Sequence, residues 1–180
     1  MVELDNSIQS EGQTLIELES YLLRPHVKIT EISDAINNPY KYFVDIQNSE
    51  EMEKISKEVN LNYVNGVICI NYNHISILDF SHWDLVDQLW SYIIDLVEQF
   101  ETNGDAKIYF PDQPIKLEFK RINSSLMLLS LDEFKYTVEI SCFIEKLLDS
   151  AELFFTLMHR YFDVKTYSTQ LQKIELLRNN

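Results

Sequence analysis

Two segments of this chain repeat apolar residues with the period of an α-helix, and the residues between them do not. Over residues 83–100 the helical positions are Val86, Leu89, Trp90, Ile93, Val97 and Phe100. Over residues 141–163 they are Phe143, Ile144, Leu147, Leu148, Ala151, Phe154, Phe155, Met158, Tyr161 and Phe162, a broad apolar face. The intervening block holds four short β-rich runs, at 108–110, 115–119, 126–129 and 134–140, with only a few residues between them. Connections that short join antiparallel neighbours, because a parallel crossover needs a dozen or more residues.

The same reasoning extends upstream. Residues 67–72 and 75–80 are β-rich and flank Asn73-His74, which reads as a tight hairpin. Ser81 is placed to cap the first long helix, and Asn103-Gly104 to end it, with glycine suited to the left-handed position. Residues 1–46 are the least legible. Within them 14–18 and 40–46 read as strands, and Asn37-Asn38-Pro39 as a turn. Ser49, followed by Glu50 and Glu51, reads as the cap of a short helix over 50–59. Leu171, Ile174 and Leu177 give residues 164–180 the pattern of an amphipathic C-terminal helix.

Strands therefore cluster and do not alternate with helices. The expected fold is α+β, a mostly antiparallel sheet with the two long helices packed on one face. A chain of 180 residues, 46% hydrophobic, suits one domain that needs no metal or disulfide to fold. With three glycines and four prolines it carries no flexible linker, and no internal repeat is present.

Charge narrows the function classes. The formal net charge is −14, which repels nucleic acid and anionic membranes and attracts a basic partner. Cys69 and Cys142 sit in apolar runs and read as core thiols of a reducing compartment. The start of the chain has neither the basic nor the apolar region of a signal peptide, so a cytoplasmic location is expected. The most apolar stretch, 143–162, contains Glu145, Lys146, Asp149, Glu152, His159 and Arg160, unlike a membrane span.

Motifs for chemistry are sparse. Pro111-Asp112 followed by Glu118-Phe119-Lys120 spells the signature of a metal-dependent nuclease superfamily, in which two carboxylates hold Mg²⁺ and the lysine orients water. The spacing is tighter than that family's, Asp112 lies between two prolines, and Glu118 and Lys120 alternate with Leu117 and Phe119 as solvent-facing strand residues do. His82 near Asp79 and Asp84 is either a metal or acid–base cluster or the polar start of a helix. There is no phosphate loop, nucleophile elbow or paired-cysteine motif, and no catalytic residue, cofactor or metal site is expected.

One asymmetry remains. From Glu58 to Ala106 there is no lysine or arginine, yet the stretch holds eight of the 29 acids. On the first long helix Asp84, Asp87, Gln88, Ser91, Asp95, Glu98 and Gln99 fall on one stripe. Trp83, Trp90 and Ile94 lie on one shoulder and Tyr92 on the other. A solvated face of an acidic protein has this pattern. So does a docking surface for a basic protein, in which acids steer and aromatics anchor. The candidate partner-binding set is Asp79, Asp84, Asp87, Asp95 and Glu98 with Trp83, Trp90 and Tyr92.

A small acidic α+β chain rich in Ile, Asn, Tyr and Phe, with no catalytic motif, resembles the immunity proteins of bacterial polymorphic-toxin and contact-dependent inhibition systems. Its most distinctive strings are Phe110-Pro111-Asp112-Gln113-Pro114 and Trp83-Asp84-Leu85-Val86-Asp87-Gln88-Leu89-Trp90. The resemblance is one of type and carries no residue roles. It implies a one-to-one inhibitory complex with a secreted toxin domain, often a basic nuclease; with the acidic stripe, the expected mechanism is steric and electrostatic occlusion. Two alternatives stand beside it: a nuclease-like enzyme using Asp112, Glu118 and Lys120, and a structural or adaptor protein that self-associates through its C-terminal helices. Monomer and homodimer are both open.

Overall fold

Among the described residues every strand pairing is antiparallel, in keeping with the mostly antiparallel pairing expected, but the strands divide between two sheets where one was expected. The computed structural model describes residues 14–162 and 167–179. The first sheet orders β2 (Phe43–Asp45), β1 (Ile16–Leu23), β3 (Asn65–Tyr72) and β4 (Ile75–Leu78), with the short β5 (Asp84–Leu85) also on β3. The second is a simple meander of β6 (Asp105–Tyr109), β7 (Lys116–Arg121), β8 (Leu126–Leu131) and β9 (Phe134–Glu139). Between the sheets in sequence runs α4 (Val86–Asn103), and after them α5 (Ile140–Tyr161) and α6 (Ser168–Arg178).

The physical cause of the division lies at the ends of α4. Gly104 ends the helix with φ 79°, in the left-handed region that glycine enters at little cost, and its N–H bonds Phe100 O. The chain reverses there and β6 opens a fresh meander. At the other end Ser81 is not the cap. Its hydroxyl and N–H both bond Asp79 in a preceding loop, while residues 84 and 85 pair with Gly66 and Asn65 of β3. The helix therefore starts three residues later than its periodicity suggests, with Leu85 at the cap position. Gly66 makes this possible. A Cβ there would collide with Tyr21 O and lie 2.7 Å from Val86 Cγ1.

The Asn73-His74 hairpin is present, and both residues have positive φ, 48° and 67°, as a tight turn matching strand twist requires. Elsewhere local signals gave way. Only 43–45 of the expected 40–46 strand is extended. Pro39, with its fixed φ, starts a helical turn, α2 (Pro39–Tyr42), which follows α1 (Ile32–Asn37). Lys41 and the Tyr42 hydroxyl both bond Asp34 and hold that turn. The next helix, α3, is Ser49–Ile55, capped by Asn48 rather than Ser49.

One apolar core joins both sheets and both long helices. It includes Leu18, Leu22, Ile68 and Ile70 from the first sheet and Leu117, Phe119, Met127 and Leu129 from the second. Trp90, Phe100, Phe143, Phe154 and Phe155 of the helices fill the space between. The expected packing of both helices on one face of one sheet is thus replaced by helices that share a core with two. A smaller core on the far side of the first sheet gathers Tyr21, Ala35, Tyr42, Phe43, Val67 and Cys69, with Phe80 and Trp83 against it.

Candidate functional site

The acidic stripe of α4 does not survive as an exposed face. Asp84 and Asp87 are 1% and 5% exposed, and Trp90 is fully buried with its indole N–H donating to Ser20 Oγ at 3.0 Å. A docking partner does not reach these three. Trp83 is half-buried against the smaller core. The Tyr167 hydroxyl donates to Asp87 Oδ2. Further along, Lys173 of α6 donates to Asp95 at 2.7 Å and lies 2.5 Å from Glu98. Burial works against the Lys173 charge, but its bonds to the two carboxylates outweigh burial and raise its pKa. The base missing from residues 58–106 is supplied from far along the chain.

Asp84 has a different task. Its carboxylate accepts the backbone N–H groups of Leu85 (2.5 Å), Asp112 (3.0 Å) and Gln113 (3.0 Å). The Gln113 side chain bonds Trp83 O in turn. The 111–114 loop of the second sheet is thus clasped to the strand end of the first. Burial pushes the Asp84 pKa up, and the three N–H donors only partly counter it.

That clasp defines one end of a groove of about 450 Å³ between α4 and β6. Tyr92, Asp95 and Gln99 line the helix side, and Lys107, Ile108, Tyr109, Phe110 and Pro111 the strand side. Tyr92 is 39% and Tyr109 58% exposed, so two amphipathic rings project into solvent from opposite walls. Among the described residues β6 pairs only with β7, so the strand wall is a sheet edge. Phe110 N–H bonds Ile115 O and Arg121 N–H bonds Gly104 O, which marks Gly104 and Phe110 as positions facing β7. By antiparallel alternation Asp105, Lys107 and Tyr109 point their N–H and C=O groups away from the sheet. Those groups have no hydrogen-bond partner among the described residues.

No family model matches the chain, no curated protein matches it in sequence, and no solved structure matches it. The groove must be read from its own chemistry.

The other candidate sites are poorer. Asp79, Ser81 and His82 do meet, with His82 Nδ1 2.9 Å from Asp79 and 3.1 Å from Ser81 Oγ. Both contacts fall on the same ring nitrogen, whereas relay chemistry needs the acid on one nitrogen and the hydroxyl on the other. Asp84, grouped with them by sequence, faces the 111–114 loop instead. Glu118 pairs across the same strand with Lys116 at 3.0 Å, and the backbone of Asp112 belongs to the Asp84 clasp. Among the described residues no three His, Cys, Asp or Glu side chains are grouped to hold a metal ion. Burial pushes the Cys69 thiol up to about 12 and raises that of Cys142, so neither is a ready thiolate. No helix among the described residues is long and apolar enough to cross a membrane.

Of the sequence-derived candidates, Tyr92, Asp95 and Glu98 remain at the surface, and Tyr92 and Asp95 line the groove. Asp79 lies in the loop before β5. Sequence reasoning missed Lys107, Tyr109 and the open edge of β6. Its only local signal was the alternation of exposed Asp105, Lys107 and Tyr109 with apolar Ala106, Ile108 and Phe110.

Proposed function

We propose that this chain is a non-catalytic, cytoplasmic protein-binding protein that neutralises a basic toxin domain by occluding it. The carrying observation is the α4–β6 groove, where two exposed tyrosines flank a carboxylate beside an unpaired strand edge. Tyrosine supplies buried contact area at low entropic cost, and acids speed the approach of a basic surface. The net charge of −14 favours such a partner at long range.

The test is capture from lysate of the source organism at low salt, with wild type and a Tyr92→Ala/Tyr109→Ala variant in parallel. One stoichiometric basic partner should come down with wild type, be lost with the variant, and leave at about half-molar salt, where charges are screened within a few ångströms. The same partner held equally by both proteins would move the interface elsewhere. No partner at any salt concentration would remove the antidote reading.

A further inference from the structure

We propose that β6 takes an extended, basic segment of the partner as an added strand, seated between the β6 edge and α4. This rests on the reading of the chain as a protein-binding protein and specifies how it binds. Three observations combine. The outward N–H and C=O groups of Asp105, Lys107 and Tyr109 are unpaired among the described residues and repeat with the spacing of a strand ladder. The groove beside them has α4 as a second wall, so an added strand would be covered on one flank. The charges around it are mostly acidic: part-buried Asp95 and exposed Glu98, both paired with part-buried Lys173, and exposed Asp105 and Asp112, against exposed Lys107.

An unpaired edge is a template for another chain, and main-chain hydrogen bonds then supply affinity while alternate side chains supply selectivity. In this geometry residues of the incoming strand that face α4 meet Tyr92 and Asp95, which suits an apolar residue next to a lysine or arginine. Lys107, in the middle of the edge, opposes pairing between two copies of β6, because like charges would face each other. It also makes the test sharp. Replacing it removes a positive charge, so on charge alone any variant should bind a basic peptide at least as well as wild type.

The probe is a short synthetic peptide repeating Lys-Thr-Val-Thr, which sets lysine and valine in turn along one face, titrated calorimetrically against the full chain at low salt. Wild type and Lys107→Ala should bind it, with Lys107→Ala equal or tighter. Lys107→Pro, which deletes one outward N–H while leaving the β6–β7 bonds intact, should bind about two- to tenfold more weakly, as expected for loss of one hydrogen bond. The same peptide carrying a backbone N-methyl group on every residue, so that neither edge can donate, should lose binding to wild type. This arm needs no variant to fold. In hydrogen exchange the amides of Lys107 and Tyr109 should become protected only when the unmethylated peptide is bound. Equal binding by Lys107→Pro and Lys107→Ala, equal binding of the methylated peptide, or no binding by wild type would each overturn strand addition. None of these outcomes bears on the capture experiment, whose own failure is the absence of any partner.

Discussion

At the scale of single residues, Asp84 and Gly66 matter most and for opposite reasons. Asp84, itself 1% exposed, supplies acceptors to three part-buried N–H groups. Asp84→Ala should lower stability by about 1–3 kcal/mol, the usual range for losing hydrogen bonds to a charged group. A shift of the urea midpoint without a change in slope checks it. Gly66→Ala overfills the space between Tyr21 and Val86 and should cost about 1–3 kcal/mol by the same measurement. Acid titration adds a third prediction. The His82 contact holds the Asp79 carboxyl below its ordinary value, and Lys41 beside Asp34 holds that carboxyl at about 2. A depressed carboxyl contributes stability above its unfolded pKa, near 3.8 for both groups, and loses it as pH falls further. Asp84, raised by burial, works with the opposite sign and at higher pH, so its gain in stability on acidification is complete before that loss begins. An Asp79→Asn/Asp34→Asn variant should therefore show a shallower fall in stability than wild type between about pH 4 and pH 2.

At the scale of elements, α6 is less deeply seated than α4 and α5. Ile174 and Leu177 are its buried residues, joined by Tyr167 just before it. Its charges reach both long helices: Lys173 to Asp95 and Glu98 on α4, Arg178 to Asp149 and Glu152 on α5. Surface pairs of this kind contribute roughly 0–1 kcal/mol each and fade with salt. The apolar residues should therefore dominate. Ile174→Ala should cost about 2–5 kcal/mol, more than Lys173→Ala, and only the Lys173→Ala effect should shrink in high salt. Chemical denaturation of both variants at low and high salt checks the pair. Element identity was mostly legible in the chain. Periodicity placed both long helices, and Asn73-His74 placed a hairpin. Boundaries were not, wherever a distant contact outbid a local preference. Ser81 is a good cap by type, but Asp79 holds it in a loop and β3 claims residues 84 and 85.

At the scale of the whole molecule, one core runs through both sheets and both long helices. The two sheets should not unfold separately. Tryptophan fluorescence, dominated by the buried Trp90, and far-ultraviolet circular dichroism should give coincident transitions. If the proposed basic partner exists, the charge of −14 should make its association fast at low salt, with a rate that falls steeply as ionic strength rises.

The sequence by itself determined the α+β class, the antiparallel pairing and the acidic character, because these follow from local period, connection length and composition. Tertiary structure decided which acids are exposed. Asp84, Asp87 and Asp95 share a helical stripe on paper. In the folded chain the first closes a loop, the second meets Tyr167, and the third meets Lys173. It also decided that β6 is an edge and that Tyr92 and Tyr109 stand across one groove. Edges and grooves depend on which distant segments come to rest beside one another, and no local pattern in the chain encodes that.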